Sequence, residues 1–148
     1  MSYTYKYPRP ALTVDCIVFQ KTQSGFEVLL IKRKNPPFQN KWAFPGGFVD
    51  MDEELHIAAA RELKEETNLS EIELKQLKTV GTIGRDPRGR TVSVIYWGIS
   101  KTNENKVFGG DDASIAKWFP INKIPALAFD HDNIFKYAVK KVFTNFSH

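Results

Sequence analysis

The sequence predicts an α/β fold in which helices pack on a mixed β-sheet, within a single domain that spans residues 1–148. Two observations carry this prediction. The expected elements follow one another in the order strands, helix, strands, helix, and no internal repeat interrupts them. The 148 residues, 42% of them hydrophobic, supply one substantial core but too little material for two.

The first strands come from two apolar segments separated by a polar turn. Residues 12–19 are rich in Val and Ile, and residues 26–32 form their hairpin partner. The sequence Asn35-Pro36-Pro37 ends the second strand, because proline cannot continue a hydrogen-bonded ladder. A short apolar segment at residues 42–44 and a turn at residues 45–47 come next.

The segment at residues 53–67 predicts the first helix, since it is rich in Ala, Leu, Glu and Lys and contains neither Gly nor Pro. Asp52 is the expected N-cap. Glu53 and Glu54 then lie in the first turn, where the helix dipole favours negative charge. Asn68 suits the left-handed residue that ends many helices.

The second half of the chain predicts three more strands and a closing helix. Long strands at residues 73–83 and 91–100 flank the loop 84–90, and residues 101–112 form a polar loop. A short strand at residues 115–119 precedes the helix at residues 130–143, at the start of which Asp130 is the expected capping residue. One face of that helix is apolar, with Ile134, Tyr137, Ala138 and Val142.

Charge and cysteine content narrow the classes of function. The net charge of +4 suits anionic small molecules and is also compatible with nucleic acid, and it does not choose between them because there is no run of about five basic residues. Cys16 is the one cysteine and lies in an apolar segment, so we expect a buried thiol in a reducing, cytoplasmic setting. No apolar stretch is long enough for a membrane span. Any metal ion has to be a hard cation with oxygen ligands.

The first helix concentrates carboxylates on one side. At about 100° per residue, Glu62, Glu65 and Glu66 fall within an arc of roughly 100°. Ile57 and Ala60 lie opposite and are expected to pack on the sheet. Like charges one turn apart repel, and Arg61 is the one cation adjacent to the cluster. The arrangement is either a solvated helix face or a site where a divalent cation offsets the repulsion.

The spacing of this segment resembles the Nudix box, Gly-x5-Glu-x7-Arg-Glu-U-x-Glu-Glu-x-Gly-U, where U is aliphatic. In residues 47–69, eight of the nine specified positions match, from Gly47 through Glu53 and Arg61 to Leu69. The departure is Asn68 in place of glycine, a residue that tolerates the left-handed conformation. The resemblance implies an α/β/α sandwich around a mixed sheet and hydrolysis of a nucleoside diphosphate linked to another group.

The resemblance also implies roles for individual residues. Glu62, Glu65 and Glu66 would hold Mg²⁺, with Mn²⁺ as a substitute, together with the carbonyl of Gly46 or Gly47. Arg61 would orient the carboxylates and hold Glu53. Glu65 or Glu66, or a carboxylate outside the box, would take the proton of the attacking water. Asp112, or the adjacent Asp111, is expected to add a ligand or a base.

Segments outside the box resemble the ADP-ribose pyrophosphatase branch of the family and the ligand domains of related transcription regulators. The expected substrate contacts are Arg33, Arg85, Arg88, Phe129 and His131. Each has an alternative: strand-end charge for Arg33, a solvated turn for Arg85 and Arg88, core packing for Phe129, and no defined role for His131. Trp42 and Phe44 have the same two alternatives, stacking on the base of a nucleotide or packing in the core.

The resulting functional prediction is Mg²⁺-dependent hydrolysis of a nucleoside diphosphate sugar, with ADP-ribose giving AMP and ribose 5-phosphate. The alternative is a non-catalytic sensing domain of a transcription regulator, which would require a DNA-binding domain beyond His148. Clearance of oxidised nucleotides or RNA cap removal is a third possibility, without a basic aromatic stripe to support it. We expect a homodimer that binds neither nucleic acid nor membrane.

Overall fold

The computed structural model describes residues 2–101 and 113–144, and its centre is one mixed β-sheet. Seven strands and two helices are present in these ranges. In chain order they are β1 (Ala11–Thr22), β2 (Gly25–Arg33), β3 (Trp42–Ala43), β4 (Gly46–Phe48), α1 (Leu55–Thr67), β5 (Lys75–Val80), β6 (Thr91–Ser100), β7 (Ala113–Pro120) and α2 (His131–Phe143).

Strand β1 organises the sheet because it pairs with three other strands. It runs parallel to β6 along ten residue pairs, from Ala11 opposite Thr91 to Gln20 opposite Ser100. Its other edge pairs antiparallel first with β4 and then with β2. Strand β5 extends the sheet beyond β6, while β3 and β7 both pair with β2. One parallel pair among antiparallel pairs makes the sheet mixed, as the sequence predicted.

Alternating residues of β1 face opposite helices, which gives the three-layer arrangement. Cys16 and Val18 belong to the apolar cluster that contains Ala58, Ala59 and Leu63 of α1. Ile17 and Phe19 point the other way, into the cluster built with Ile134, Ala138 and Val142 of α2. Successive side chains of a strand point to opposite faces. The predicted α/β/α sandwich is therefore confirmed, and Cys16 is buried as expected.

Helix α1 begins at Leu55, two residues later than the sequence predicted. The predicted N-cap, Asp52, is wrong: Glu54 is the N-cap residue and makes no side-chain capping bond. Glu53 lies outside the helix because its carboxylate accepts from the backbone N–H of Asp50 and from Arg61. At the other end, Asn68 adopts φ 67°, the left-handed conformation that was predicted.

The face of α1 that packs on the sheet differs from the prediction. Ile57 is 52% exposed and Ala60 is also exposed, whereas Ala58, Ala59 and Leu63 are buried. The helix thus approaches the sheet through small side chains, which permits close packing. Glu66 lies on the same buried side, and this places its carboxyl group against the sheet rather than in solvent.

Three further boundaries differ from the sequence prediction. Gly46 and Gly47 lie in β4, paired with β1, and not in a turn. Strand β5 covers only Lys75–Val80 of the predicted residues 73–83. Asp130 precedes α2 but makes no side-chain capping bond, since it binds Arg85 instead. Within the described residues, neither 13-residue helix is long and apolar enough to cross a membrane.

Candidate active site

A cleft of about 400 Å³ opens where β1, β2, β4 and α1 meet the loop before β6 and the start of α2. Its volume lies in the range of small-molecule sites. Ten of the residues predicted for the site line it: Arg33, Gly46, Gly47, Arg61, Glu62, Glu66, Arg85, Arg88, Phe129 and His131.

Two glycines bring strand β4 close to the carboxylates of α1. A Cβ atom on Gly47 would lie 2.7 Å from the carboxyl carbon of Glu62, and one on Gly46 would collide with Val14 O and Asp15. Only glycine leaves room for these contacts. The backbone N–H of Gly46 also donates to Oε2 of Glu66 across 3.3 Å. The glycine pair therefore forms one wall of a pocket for carboxyl groups.

Arg61 binds three carboxylates at once. Its Nε and Nη2 donate to the two oxygens of Glu53, at 2.6 and 2.9 Å, in a bidentate pair. Its Nη1 donates to Glu62 at 2.9 Å and to Glu65 at 3.2 Å. A planar guanidinium holds carboxylates in fixed orientations in this way. The hydrogen bond from Arg61 is also the main reason why the pKa of Glu53 lies below its ordinary value.

Glu66 is the most deeply buried acid of the box, with 4% of its surface exposed. Burial raises its pKa to about 9, and the negative charge of Glu62 adds to the effect. Burial also raises the pKa of Glu62, although Arg61 counteracts it. The two carboxyl groups lie close enough for the charge of Glu62 to act on Glu66. Arg61 pairs with Glu62, but its single charge is shared with Glu53 and Glu65, so the buried pair is short of positive charge.

This donor set fits a hard divalent cation. The oxygen atoms come from carboxylates, which Mg²⁺ and Mn²⁺ prefer, and a divalent cation would add positive charge beside Glu66, whose ionisation burial and the charge of Glu62 oppose. In residues 2–101 and 113–144, no three His, Cys, Asp or Glu side chains are already arranged as a complete metal site. Arg61 binds oxygens of Glu62 and Glu65 in this structure.

The remaining predicted catalytic and metal residues lie apart from the cleft wall or beyond the described ranges. The side chain of Glu65 is 41% exposed and contacts Arg61 from the solvent side. Glu53 is bound by Arg61 and by the backbone N–H of Asp50, two residues that line the cleft, and is not itself a lining residue. Asp111 and Asp112 lie outside the described residues. The roles of these residues as base or ligand remain predictions.

The loop before β6 contains one arginine with a buried side chain, Arg85, and two exposed arginines, Arg88 and Arg90. The side chain of Arg85 is 5% exposed and binds Asp130 through Nε and Nη2, at 2.9 and 2.8 Å, so the solvated-turn alternative is wrong for it. Its Nη1 donates to Ser93. Arg88 is 44% exposed and binds Asp86 through Nε and Nη2. Burial opposes ionisation of Asp86, but these bonds hold its pKa below the ordinary value.

Aromatic rings and guanidinium groups meet at the mouth of the cleft. Arg88 lies 5.3 Å from the ring centre of Phe48 and 5.6 Å from that of Phe129. Arg33 lies 5.0 Å from Phe129 on the side of β2. Phe129 is half-buried and lies at φ 54°. By contrast, Trp42 and Phe44 pack in the core, against Phe119 and His131 respectively.

Asp15 is a cleft residue that the sequence analysis did not select. It lies in β1 opposite Gly46, and only 8% of its surface is exposed. Burial raises its pKa to about 7, while Arg85 counteracts the shift. Its Oδ2 lies 3.8 Å from Nε2 of His131. A signal was present in the sequence, because an acidic residue within an apolar strand calls for a partner or a function.

Comparison with protein families matches residues 9–138 to the NUDIX domain. The chain belongs to the Nudix family. The match covers most of the chain, so the family and enzyme class predicted from the box are confirmed. The fold prediction agrees with a solved Nudix structure, the NUDIX domain of Shewanella oneidensis NrtR complexed with ADP ribose. It superimposes with a TM-score of 0.84 at 34% identity, over 95% of this chain and 94% of the other.

Two Nudix relatives differ in what they do. The ADP-ribose pyrophosphatase of Methanocaldococcus jannaschii is 41% identical over 130 residues, which are 88% of this chain and 73% of the relative. The ADPR responsive transcriptional repressor NtrR of Acinetobacter baylyi is 34% identical over 142 residues. That alignment covers 92% of this chain but 56% of the repressor. Both an enzyme and a regulator therefore resemble this Nudix chain.

Proposed function

We propose that the protein hydrolyses the pyrophosphate bond of ADP-ribose, giving AMP and ribose 5-phosphate. The observation that supports this most directly is the carboxylate cluster of α1, held by Arg61 beside a cleft with two further guanidinium groups. Carboxylates suit a divalent cation, and arginines suit phosphate oxygens. The sequence identity of 41% to an ADP-ribose pyrophosphatase, over 88% of this chain, supports the choice of substrate.

The proposed cofactor is Mg²⁺, with Mn²⁺ as a substitute. Glu62, Glu65 and Glu66 would hold it, with a carbonyl of Gly46 or Gly47 and a carboxylate from Asp112. When bound, the cation supplies the charge that acidifies a water molecule and stabilises negative charge on the phosphates. The observation in favour is the buried Glu62–Glu66 pair, for which the single charge of Arg61, shared with Glu53 and Glu65, is the partner of Glu62.

The side chains of the cleft would share the remaining work. Arg33 and Arg88 lie where they can bind pyrophosphate oxygens, and Phe129 offers a ring face for a base. Arg61 keeps the carboxylates oriented. A carboxylate of Glu65 or Glu66, or of Asp112, takes a proton from the attacking water. The water oxygen forms a bond to one phosphorus atom while the bond from that phosphorus to the bridging oxygen breaks.

Product analysis with purified protein tests this function. We expect AMP and ribose 5-phosphate from ADP-ribose with Mg²⁺ or Mn²⁺, and no products after treatment with EDTA. Glu62→Gln, Glu65→Gln and Glu66→Gln should each lower kcat/KM by at least about 100-fold. Glu54→Gln is the matched control, because Glu54 is exposed and precedes the same helix. Turnover that survives EDTA, or a Glu65→Gln/Glu66→Gln double variant with full activity, would exclude the assignment.

A second candidate function is ADP-ribose sensing without catalysis. Its support is the similarity to the repressor NtrR and to the ADP-ribose-bound domain of NrtR. The two functions separate in one experiment that combines calorimetry with product analysis. Binding of ADP-ribose without release of AMP, under every metal condition, would favour the sensor. Release of AMP at many turnovers per protein molecule would favour the hydrolase.

We further propose that residues 1–148 act as one Nudix domain in a cytoplasmic homodimer that binds neither membrane nor nucleic acid. The basic but dispersed charge supports the last point. Light scattering of the purified chain measures the oligomeric state. Electrophoretic mobility of labelled DNA tests the absence of nucleic-acid binding, and a shift at low protein concentration would contradict it.

A further inference from the structure

Asp15 presents a largely buried carboxyl group to the cleft. In the part of the chain that the structure describes it accepts no hydrogen bond, and its Oδ2 lies 3.8 Å from Nε2 of His131. Asp15 is 8% exposed and lines the same cleft as the Nudix carboxylates. Among the described residues no fully enclosed side-chain oxygen or nitrogen lacks a hydrogen-bond partner, so the Asp15 oxygens reach the cleft, where a ligand can donate to them.

His131 provides a hydrogen-bond donor beside this acceptor. The backbone N–H of Phe44 donates to Nδ1 of His131 across 3.2 Å, so Nδ1 carries no proton. In a neutral imidazole the proton then resides on Nε2, the nitrogen that faces Asp15. The ring of Phe44 stacks on His131 with centroids 4.7 Å apart and keeps the imidazole oriented. A donor and an acceptor thus lie next to each other in the cleft wall.

The surrounding charges indicate which part of a substrate contacts this pair. A carboxylate repels phosphate, and the arginines that can bind phosphate, Arg33 and Arg88, lie at the cleft mouth. Arg85 is close enough to influence Asp15 but directs its nitrogens to Asp130 and Ser93. Phosphate is disfavoured next to Asp15, so among the groups of a nucleoside diphosphate sugar the complementary one is uncharged and carries both a donor and an acceptor. Adjacent hydroxyl groups of a sugar have this property.

We propose that Asp15 and His131 together recognise two adjacent hydroxyl groups of a ribose, with Asp15 accepting from one hydroxyl and Nε2–H of His131 donating to the other. Asp15 is then a specificity-determining residue that selects ribosyl over deoxyribosyl substrates. The inference rests on the proposed function for the identity of the substrate. ADP-ribose contains two riboses, one in adenosine and one at the far end, and both present adjacent hydroxyls.

The test compares three ligands with the wild type and Asp15→Asn. The ligands are ADP-ribose, its analogue without the 2′-hydroxyl of adenosine, and its analogue without the corresponding hydroxyl of the terminal ribose. We expect the wild type to prefer ADP-ribose over one analogue by about 10- to 100-fold in kcat/KM, as for a hydrogen bond to a charged group. Asp15→Asn should reduce that ratio to about threefold or less. The analogue that shows the loss identifies the ribose.

A stability measurement separates recognition from a structural role. Because the Asp15 carboxyl is buried without a partner, Asp15→Asn should leave Tm unchanged or raise it. Asp52→Asn, the same chemical change at an exposed position outside the cleft, serves as the control. A lower Tm with equal loss of activity on all three ligands would overturn the inference. So would an unchanged preference for ADP-ribose, or a shift only in the Mg²⁺ concentration needed for half-maximal rate.

Calorimetric binding of the same ligands keeps this test independent of catalysis. If the protein binds ADP-ribose without hydrolysing it, the proposed hydrolase function fails, but the preference for ribosyl ligands and its loss in Asp15→Asn would still support the inference. If the wild type hydrolyses or binds ADP-ribose and both deoxy analogues equally, only the inference fails. Absence of both turnover and binding for every ligand would overturn both proposals.

Discussion

The backbone N–H of Phe44 donates a hydrogen bond to Nδ1 of His131 across 3.2 Å, and the Phe44 ring stacks on the same imidazole. The bond fixes the tautomer, and burial lowers the pKa of His131 to about 3. Asp130 opposes this shift and Arg85 reinforces it. His131 is therefore a neutral donor throughout the physiological pH range. Its burial lowers the free energy of unfolding only in acid, where the unfolded chain binds a proton that the folded chain does not.

The first prediction concerns the pH dependence of stability. In the folded state the pKa of His131 is about 3, below its ordinary value of 6.5. Below about pH 6.5 the unfolded chain binds a proton that the folded chain does not, so the contribution of His131 falls as pH falls, by up to about 1.4 kcal/mol per pH unit. Urea unfolding at pH 7, 6 and 5 should show the stability difference between wild type and His131→Asn shrinking accordingly.

The comparison with the variant is necessary because Asp15 has the opposite dependence. Its folded pKa is raised to about 7, so its contribution is complete in acid and is lost as pH rises through that value. In a measurement on the wild type alone, the opposite pH dependences that Asp15 and His131 give to the free energy of unfolding would offset each other. His56→Asn, at an exposed position of α1, provides the control and should show a constant difference. A constant difference for His131→Asn as well would contradict a buried neutral imidazole.

The second prediction concerns the guanidinium group of Arg61, which holds three carboxylates by hydrogen bonds. Replacing Arg61 with lysine keeps the positive charge but leaves a single nitrogen. The bidentate pair with Glu53 is then lost, and one ammonium group cannot also donate to Glu62 and Glu65 as Nη1 does. Partners that orient metal ligands typically contribute 10- to 100-fold to affinity or activity. Arg61→Lys should therefore lower kcat/KM by about that factor and raise the Mg²⁺ concentration for half-maximal rate. Arg90→Lys, outside the cleft, should change neither quantity.

The third prediction concerns the space beside Gly47. A methyl group there would lie 2.7 Å from the Glu62 carboxyl group, at the end of a flexible side chain. The side chain can move away at little cost in stability, but the carboxylate then leaves its position. Gly47→Ala should lower kcat/KM by at least about 10-fold and change Tm by only a few degrees. Gly81→Ala is the matched control, because its added Cβ meets ordinary contacts of 3.5 Å or more. Equal activity of the two variants would show that the Glu62 position is unimportant.

The fourth prediction concerns the Asp86–Arg88 pair. Asp86 accepts from the backbone N–H, Nε and Nη2 of Arg88, and so directs the guanidinium over the cleft. If Arg88 binds pyrophosphate oxygens, Asp86→Asn should raise KM about 3- to 10-fold with a smaller effect on kcat. The double variant Asp86→Asn/Arg88→Gln should be no worse than Arg88→Gln alone, since Asp86 acts through Arg88. Additive losses would assign Asp86 a separate role.

Local sequence signals predicted several elements well. The bounds of β6, the β1–β2 hairpin and the left-handed residue at Asn68 all depend on neighbouring residues, and the structure agrees with each. The pairing of Arg61 with Glu53, which the resemblance to the Nudix box implied, is also present in the structure. These features lie within reach of pattern and propensity, because short-range geometry determines them.

Other features depend on residues far apart in the chain. Gly46 and Gly47 pair with β1, about 30 residues earlier, and so form a strand where local composition indicated a turn. Helix α1 starts at Leu55 and not at the predicted residue 53, because Arg61 and the backbone N–H of Asp50 bind the Glu53 carboxylate. Asp130 pairs with Arg85 rather than capping α2. In each case a tertiary contact outweighed a local preference worth about 1 kcal/mol.

The sequence by itself determined the family, the alternation of strands and helices, and the crowding of Glu62, Glu65 and Glu66 on one helix, because helical period and box spacing are properties of consecutive residues. Only the tertiary structure decided that Glu66 is buried against Gly46 and that Asp15 lies beside His131 in the cleft wall. Burial and the pairing of distant strands set these relations, since both depend on how the whole chain packs.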